Sequence, residues 1–255
     1  MFFLIRLMYS KRSEIFLLII RFAVLVFTIF YLIPFTPFSS ANLYQKSLLA
    51  NAAISALRLH QRLPPFRFSR EYLTTVLFED SAHYLLYSII FISNYPITLV
   101  LLPVSLFALL HSCSFINILY SSGSRGNFIF EKFSSKFIIH SFCQILIGSF
   151  GRIIASLVEY QREIFLTIAF TEITLMPTLL FAIIAGLASI FTPFLYYQFL
   201  IFRYSSRRNP YTRQAFHLIR ISSEKFASSP RCPHIARSFL FKSIELISHL
   251  APQQI

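Results

Sequence analysis

The stretch IFLTIAFTEITLMPTLLFAIIAGLASIFTPFLYYQFLIF, residues 164 to 202, carries one ionised side chain, Glu172, in an otherwise almost wholly apolar run. One straight membrane helix needs about 20 residues, and two need about 40 plus a turn. The run is too long for one ordinary span and slightly short for two. Met176-Pro177, Ala185 to Ser189 and Thr192-Pro193 are its expected break points. Its length predicts a bent pair of short helices, or a hairpin that does not fully cross. One long tilted helix with an interfacial flank is the rival reading. Ala182 and Gly186 form a small-xxx-small pair, which hints at close helix approach.

Immediately after this run comes RYSSRRNPY, residues 203 to 211, which ends the apolar part of the chain with Arg203, Arg207 and Arg208. Three arginines there read as a cytosolic stop, and Asn209-Pro210 then restarts the chain as a helix. Ser205 and Ser206 among the arginines are candidate phosphorylation sites. Beyond them Arg213, His217, Arg220 and Glu224 share one helical face, with Tyr211, Ala215, Leu218, Ser222 and Phe226 on the other. After Pro230 and Pro233, Ile235, Phe239, Ile247 and Leu250 form a second apolar face opposite Arg237, Lys242 and Glu245. Residues 203–255 therefore read as a basic cytosolic tail of amphipathic helices. Arg203, Arg207, Arg208, Arg213, Arg220, Arg237 and Lys242 are its expected contacts with anionic head groups.

Towards the N-terminus, residues 1–202 read as a helical membrane domain. A first apolar segment covers about 15–33, interrupted by Arg21, and is read as a retained span rather than a cleaved signal. Residues 41–63 are rich in Ala and Leu and form helix readily, but Lys46, Arg58 and Arg62 make them an uncomfortable span. They read as an interfacial helix, or one packed against the bundle, with Leu49, Ala53, Ala56 and Leu57 on one face. Pro64 and Pro65 end it, and Ser69 is placed as an N-cap. A further apolar segment, about 81–115, is broken at Asn94-Tyr95-Pro96. The basic lead and the basic tail both favour the cytosol, so an even number of crossings is expected, four in preference to three.

Composition agrees. The chain is 56% hydrophobic and 13% charged, against roughly 25% charged residues in a soluble domain. This points to an all-α, polytopic membrane protein. Its 23 Lys and Arg against 10 Asp and Glu suggest anionic lipid, and no aromatic-basic module points to nucleic acid. Cys113, Cys143 and Cys232 are odd in number and widely spaced, which suits neither a disulfide framework nor a zinc site.

Two constellations bear on chemistry. Glu79, Asp80 and His83 fall within one helical turn of each other, so a carboxylate there would orient the imidazole. A carboxylate-bridged metal site needs a matching Glu-x-x-His on a second helix, and the sequence has none; neither metal nor cofactor is expected. An intramembrane enzyme built on this cluster is one alternative function, although a polar cluster at a helix start is the commoner use of such residues. Glu172 and Arg21 are intramembrane charges, which suggest either ion handling by a channel- or transporter-like regulator or pairing, with each other or with polar neighbours, that locks helix packing.

Three strings resemble the transmembrane protein 33 family, which includes the Krüppel-homologue-2 and fungal pore-membrane proteins. They are YQKSLLANAAISALRLHQRLPPFRFSREYL (44–73), LFEDSAHYLLYSIIFISNYPIT (77–98) and FLYYQFLIFRYSSRRNPYTR (194–213). The resemblance implies a non-enzymatic protein of the endoplasmic reticulum and nuclear envelope, with membrane-binding helices in its tail. It also implies reticulon-type membrane-shaping partners, organisation of tubular membrane, and links to nuclear-pore distribution and reticulum stress. It assigns no role to Glu79, Asp80 or His83. Residues 127–150 exceed the family pattern, and their Phe/Ile/Ser composition fits either a genuine insert or a translated intron.

Overall fold

A computed structural model of the chain describes residues 2–33, 39–65, 68–123, 154, 156–206, 208–230 and 232–250. The expected insert at 127–150, Cys143 and Arg207 lie outside the described residues. The helices are α1 (Phe2–Leu32), α2 (Ser40–Arg62), α3 (Arg70–Leu77), α4 (Asp80–Ile92) and α5 (Thr98–Gly123). They continue with α6 (Gln161–Ile184), α7 (Phe191–Ser205), α8 (Tyr211–Ala227) and α9 (His234–Leu250). No strand occurs among the described residues. Ser13–Leu32, Thr98–Ile118 and Gln161–Ile184 are long and apolar enough to cross a membrane. The molecule is a helical membrane protein.

Side-chain pairs set the directions of the helices. Thr28 meets Ser47 at 3.0 Å and Glu14 meets Arg58 at 3.0 Å, so α1 and α2 are antiparallel. Asn51 donates to Ser88 at 2.8 Å and Arg62 to Glu79 at 3.3 Å, so α2 and α4 are antiparallel too. Tyr84 packs edge-on against Phe107, and the Tyr87 hydroxyl donates to the Val100 carbonyl, which reverses α5 against α4. Glu172 and Arg203 do the same for α6 and α7. Glu14, Arg58, Arg62, Glu79, Asp80 and Arg203 therefore gather at one end of the bundle. The helix ends at Leu32, Ile92 and Ile184 lie at the other.

The interior combines aromatic packing with hydrogen-bonded polar side chains. Tyr84, Tyr87, Phe91, Tyr196 and Phe199 form a buried aromatic cluster with Leu48, Val100 and Leu175. Tyr87 and Phe91 lie 4.9 Å apart between ring centres, and each such pair adds about 0.5–1.5 kcal/mol beyond area burial. Apolar side chains such as Ile19, Ile29 and Phe181 point outwards. In a bilayer apolar exposure carries no penalty, and close packing together with interhelical hydrogen bonds holds the interior.

Several expectations change here. Residues 41–63 form a helix as read, and of its two expected placements α2 takes the one packed against the bundle, between α1 and α4, though with the opposite face inward. It buries Leu43, Tyr44, Ser47, Leu48, Asn51 and Ser55 and turns Leu49, Ala53 and Ala56 outwards. The polar side faces in because Thr28 and Ser88 satisfy it there. Pro177 does not break α6, since it forgoes one backbone bond inside a continuous helix. Pro193 sits in the first turn of α7, where its missing N–H has no intrahelical partner to lose. The break at Ala185 to Ser189 is real. Gly186 has φ +72° there, and a Cβ on it would meet nothing within 4 Å. It serves the turn, not close helix packing.

Candidate functional site

The charged end is built from two strings far apart in sequence, FEDSAH at the start of α4 and RYSSRRNPY at the end of α7. Ser69 caps the start of α3, accepting a hydrogen bond from the Tyr72 amide; α3 ends at Leu77, and Glu79 and Asp80 stand at the entry to α4. α7 runs back from the far turn and delivers Arg203 between α4 and α6.

Arg203 is the centre of the site and is 1% exposed. Its Nε donates to Glu172 Oε2 at 3.1 Å, and a terminal nitrogen donates to Asp80 Oδ1 at 3.3 Å. Its guanidinium lies 5.2 Å from the centre of the Tyr84 ring, and the Tyr84 hydroxyl donates to the other Glu172 oxygen. Tyr196 donates to the Glu172 backbone carbonyl at 2.7 Å. Ser206 donates to Asp80 Oδ1 at 2.9 Å and accepts from the Asn209 amide. One rim lies over this core: Glu79 receives Arg208 at 2.7 Å and Arg62 at 3.3 Å. Asn209 Oδ1 accepts from the Tyr211 amide and starts α8.

Of the two pairings expected for Glu172, with Arg21 or with a polar neighbour, the structure holds the second. Glu172 takes Arg203 as its partner, because the α6–α7 turn brings the two opposite each other. Arg21 is buried in α1, where Glu14 and Arg58 are the charges acting on it. Arg203 is correspondingly not a lipid-surface residue. Ser206, read as modifiable, is fully buried. The pairing was findable: Glu172 and Arg203 stand equally far from Ala185 and Ile190, the ends of the turn.

The Glu79, Asp80 and His83 cluster does come together, but as a receptor for arginines. His83 Nε2 donates to the Leu77 carbonyl at 2.6 Å, and the ring stacks on Phe202. Its Nδ1 lies 3.7 Å from Asp80. Burial lowers the His83 pKa below the usual histidine value, as does Arg203. The Leu77 carbonyl, Asp80 and Glu79 act against this shift. The carboxylates face Arg62, Arg203 and Arg208, so the geometry is that of a latch between α4, α6, α7 and the root of the tail.

In the tail, Thr212 and Ala215 bury α8 against α6, and Phe165 packs on Tyr211. Arg213 is half-buried, and Arg220 pairs with Glu224 at 2.8 Å. Arg237 donates to the Ala227 and Ser229 carbonyls, which ties α9 to the end of α8. Lys242 is exposed, as are Ile221, Phe226, Ile235, Phe239 and Leu246.

Residues 2–253 match the family model described as transmembrane protein 33/nucleoporin POM33. The mouse protein named Transmembrane protein 33 is 44% identical over 214 residues, covering 84% of this chain and 78% of the relative. Krueppel homolog 2 of Drosophila melanogaster is 40% identical over 246 residues, covering 96% and 80%. The Transmembrane protein 33 homolog of Caenorhabditis elegans is 36% identical over 239 residues, covering 91% and 81%. No solved structure matches the chain.

Proposed function

The chain belongs to the transmembrane protein 33/nucleoporin POM33 family, and from that membership we propose a non-enzymatic organiser of endoplasmic reticulum and nuclear envelope membrane. Its partners are reticulon-type membrane-shaping proteins, with nuclear-pore components and the reticulum stress response as further associations. The observation that carries this reading is the one-sided arrangement of charge. The ion pairs and the start of the tail share one end of the bundle, and the exposed apolar faces of α8 and α9 extend from it.

By the positive-inside bias that end faces the cytosol, with both termini on the same side. Arg213, Arg220 and Lys242 then lie beside the anionic leaflet, and Phe226, Ile235 and Phe239 enter its interface. The test is reconstitution of the full chain into vesicles, with and without a purified reticulon-type hairpin protein. Association with that protein and narrowing of the vesicles into tubules are expected. Unchanged vesicle shape together with no association would overturn the proposal.

A further inference from the structure

We infer that the α6–α7 hairpin ends inside the bilayer, its tip from Ile184 to Phe194 surrounded by acyl chains and short of the opposite aqueous phase. The inference concerns how deep the hairpin reaches, and it holds whichever partners the protein has.

The first support is surface chemistry. Ile184 is 83% exposed and Phe191 78%, and Leu187, Ile190 and Phe194 are exposed beside them. No Asp, Glu, His, Lys or Arg occurs between Ile173 and Phe202. An aqueous turn of this size carries polar side chains, whereas this one presents a cap of large apolar groups.

The second support is the backbone. Hydrocarbon tolerates a turn only where its polar groups are satisfied within the protein. The Ala185 amide donates to the Phe181 carbonyl at 3.0 Å, Gly186 to Ile183 at 2.9 Å and Leu187 to Ala182 at 2.8 Å. Gly186 reaches the positive φ this closure needs. On the α7 side, the Thr192 amide donates to the Ser189 carbonyl and the Phe191 amide to Ser189 Oγ. The Thr192 hydroxyl donates to Asn94 Oδ1 in the neighbouring turn. These bonds close both ends of the turn on the protein itself.

The third support is length. The latch lies at the water boundary, since the side chains of Arg208 and Arg62 are 58% and 41% exposed. From Glu172 to Ile184, and back from Phe191 to Arg203, each arm covers about 18 Å. The hydrocarbon layer is about 30 Å thick. Measured from the buried Glu172–Arg203 pair beneath that boundary, arms of about 18 Å leave the tip within a layer about 30 Å thick.

The chain contains no tryptophan, so Phe191→Trp and Phe194→Trp each give a single reporter at an exposed aromatic position that keeps its apolar character. The full-length variants are reconstituted in phosphatidylcholine vesicles with iodide inside and outside, or in vesicles of lipids brominated along the acyl chain. Strong quenching by bromine is expected, with iodide quenching far weaker than for a tryptophan derivative free in water. Iodide quenching close to that of the free derivative would place the tip in water and overturn the inference. Protection from both quenchers would show the tip covered by protein, from this chain or another, and would overturn it equally.

Discussion

Glu172 and Arg203 face each other at 3.1 Å with the carboxylate fully buried and the guanidinium 1% exposed. Neither charge has solvent to fall back on, so each exists in the bundle because of the other. Removing one partner from such a pair costs about 3–5 kcal/mol, while replacing both by apolar groups of similar size is often neutral. Glu172→Leu or Arg203→Met alone should therefore lower the unfolding midpoint in detergent sharply. The double variant should recover much of the loss, although Asp80 then lacks one of its donors. A double variant as unstable as the sum of the two singles would remove the coupling. The same logic excludes Arg203→Gln as a clean probe of lipid binding, because it damages the bundle first.

The latch also has an outer, wet part. Arg208 and Arg62 both reach the buried Glu79 while their own side chains stay open to water, so Arg62 still pairs Glu79 when Arg208 is lost, and an ion pair with a solvated arginine contributes about 0–1 kcal/mol. Arg208→Gln should leave the detergent unfolding midpoint nearly unchanged. Its effect should instead be on the root of the tail, seen as faster proteolysis between Ser205 and Tyr211 in the folded protein. Equal proteolysis rates would mean that Ser206 and Asn209 hold the root without help.

His83 makes stability depend on pH. Its Nε2 hydrogen is held by the Leu77 carbonyl, and burial favours the neutral ring. The folded pKa lies below the unfolded value of about 6.5, so the unfolded chain takes up a proton first as pH falls. Stability is thus unaffected by this group above about pH 7 and declines as pH drops through the range below about 6.5. His83→Gln should flatten that decline in thermal unfolding measured between these limits. An identical slope in the variant would assign the pH dependence to other groups.

Much of this fold was legible because membrane helices announce themselves by length and apolarity. The breaks at Asn94-Tyr95-Pro96 and after Ala185, the Ser69 cap and the helical extent of α2 all follow from local chemistry. What local chemistry leaves open is which face meets which. Leu49, Ala53 and Ala56 look like a packing stripe, yet lipid accepts them as readily as protein does, and the Asn51 and Ser47 side is the one that must find partners. Arg203 likewise reads as a surface stop beside Arg208. Only its position across the turn from Glu172 reveals that it belongs to the interior.

Gly186 tests the turn independently of the charges. Its φ of +72° is unfavourable for a residue with a Cβ, while the space around it is open. Gly186→Ala should therefore cost about 1–2 kcal/mol from backbone strain alone, with no added steric loss. Gly186→Asn should cost less, since Asn tolerates this conformation better. Equal costs for the two in thermal unfolding would point to a different role for the residue.

The last prediction concerns the tail. Phe239 and Ile235 are exposed on α9 next to a predominantly basic surface. An interfacial helix of this kind is held by two contributions, apolar insertion and attraction to anionic lipid of on the order of 1 kcal/mol for each well-placed Lys or Arg. Phe239→Trp, again the sole tryptophan of the chain, should show blue-shifted emission in vesicles containing phosphatidylserine. It should shift back towards water in neutral vesicles at high salt. Lys242→Gln and Arg220→Gln in the same background should weaken the shift without altering the unfolding midpoint, because neither side chain is buried in the bundle. Emission that is blue-shifted in every lipid and in detergent would mean that α9 packs on its own protein, leaving its cations merely solvated.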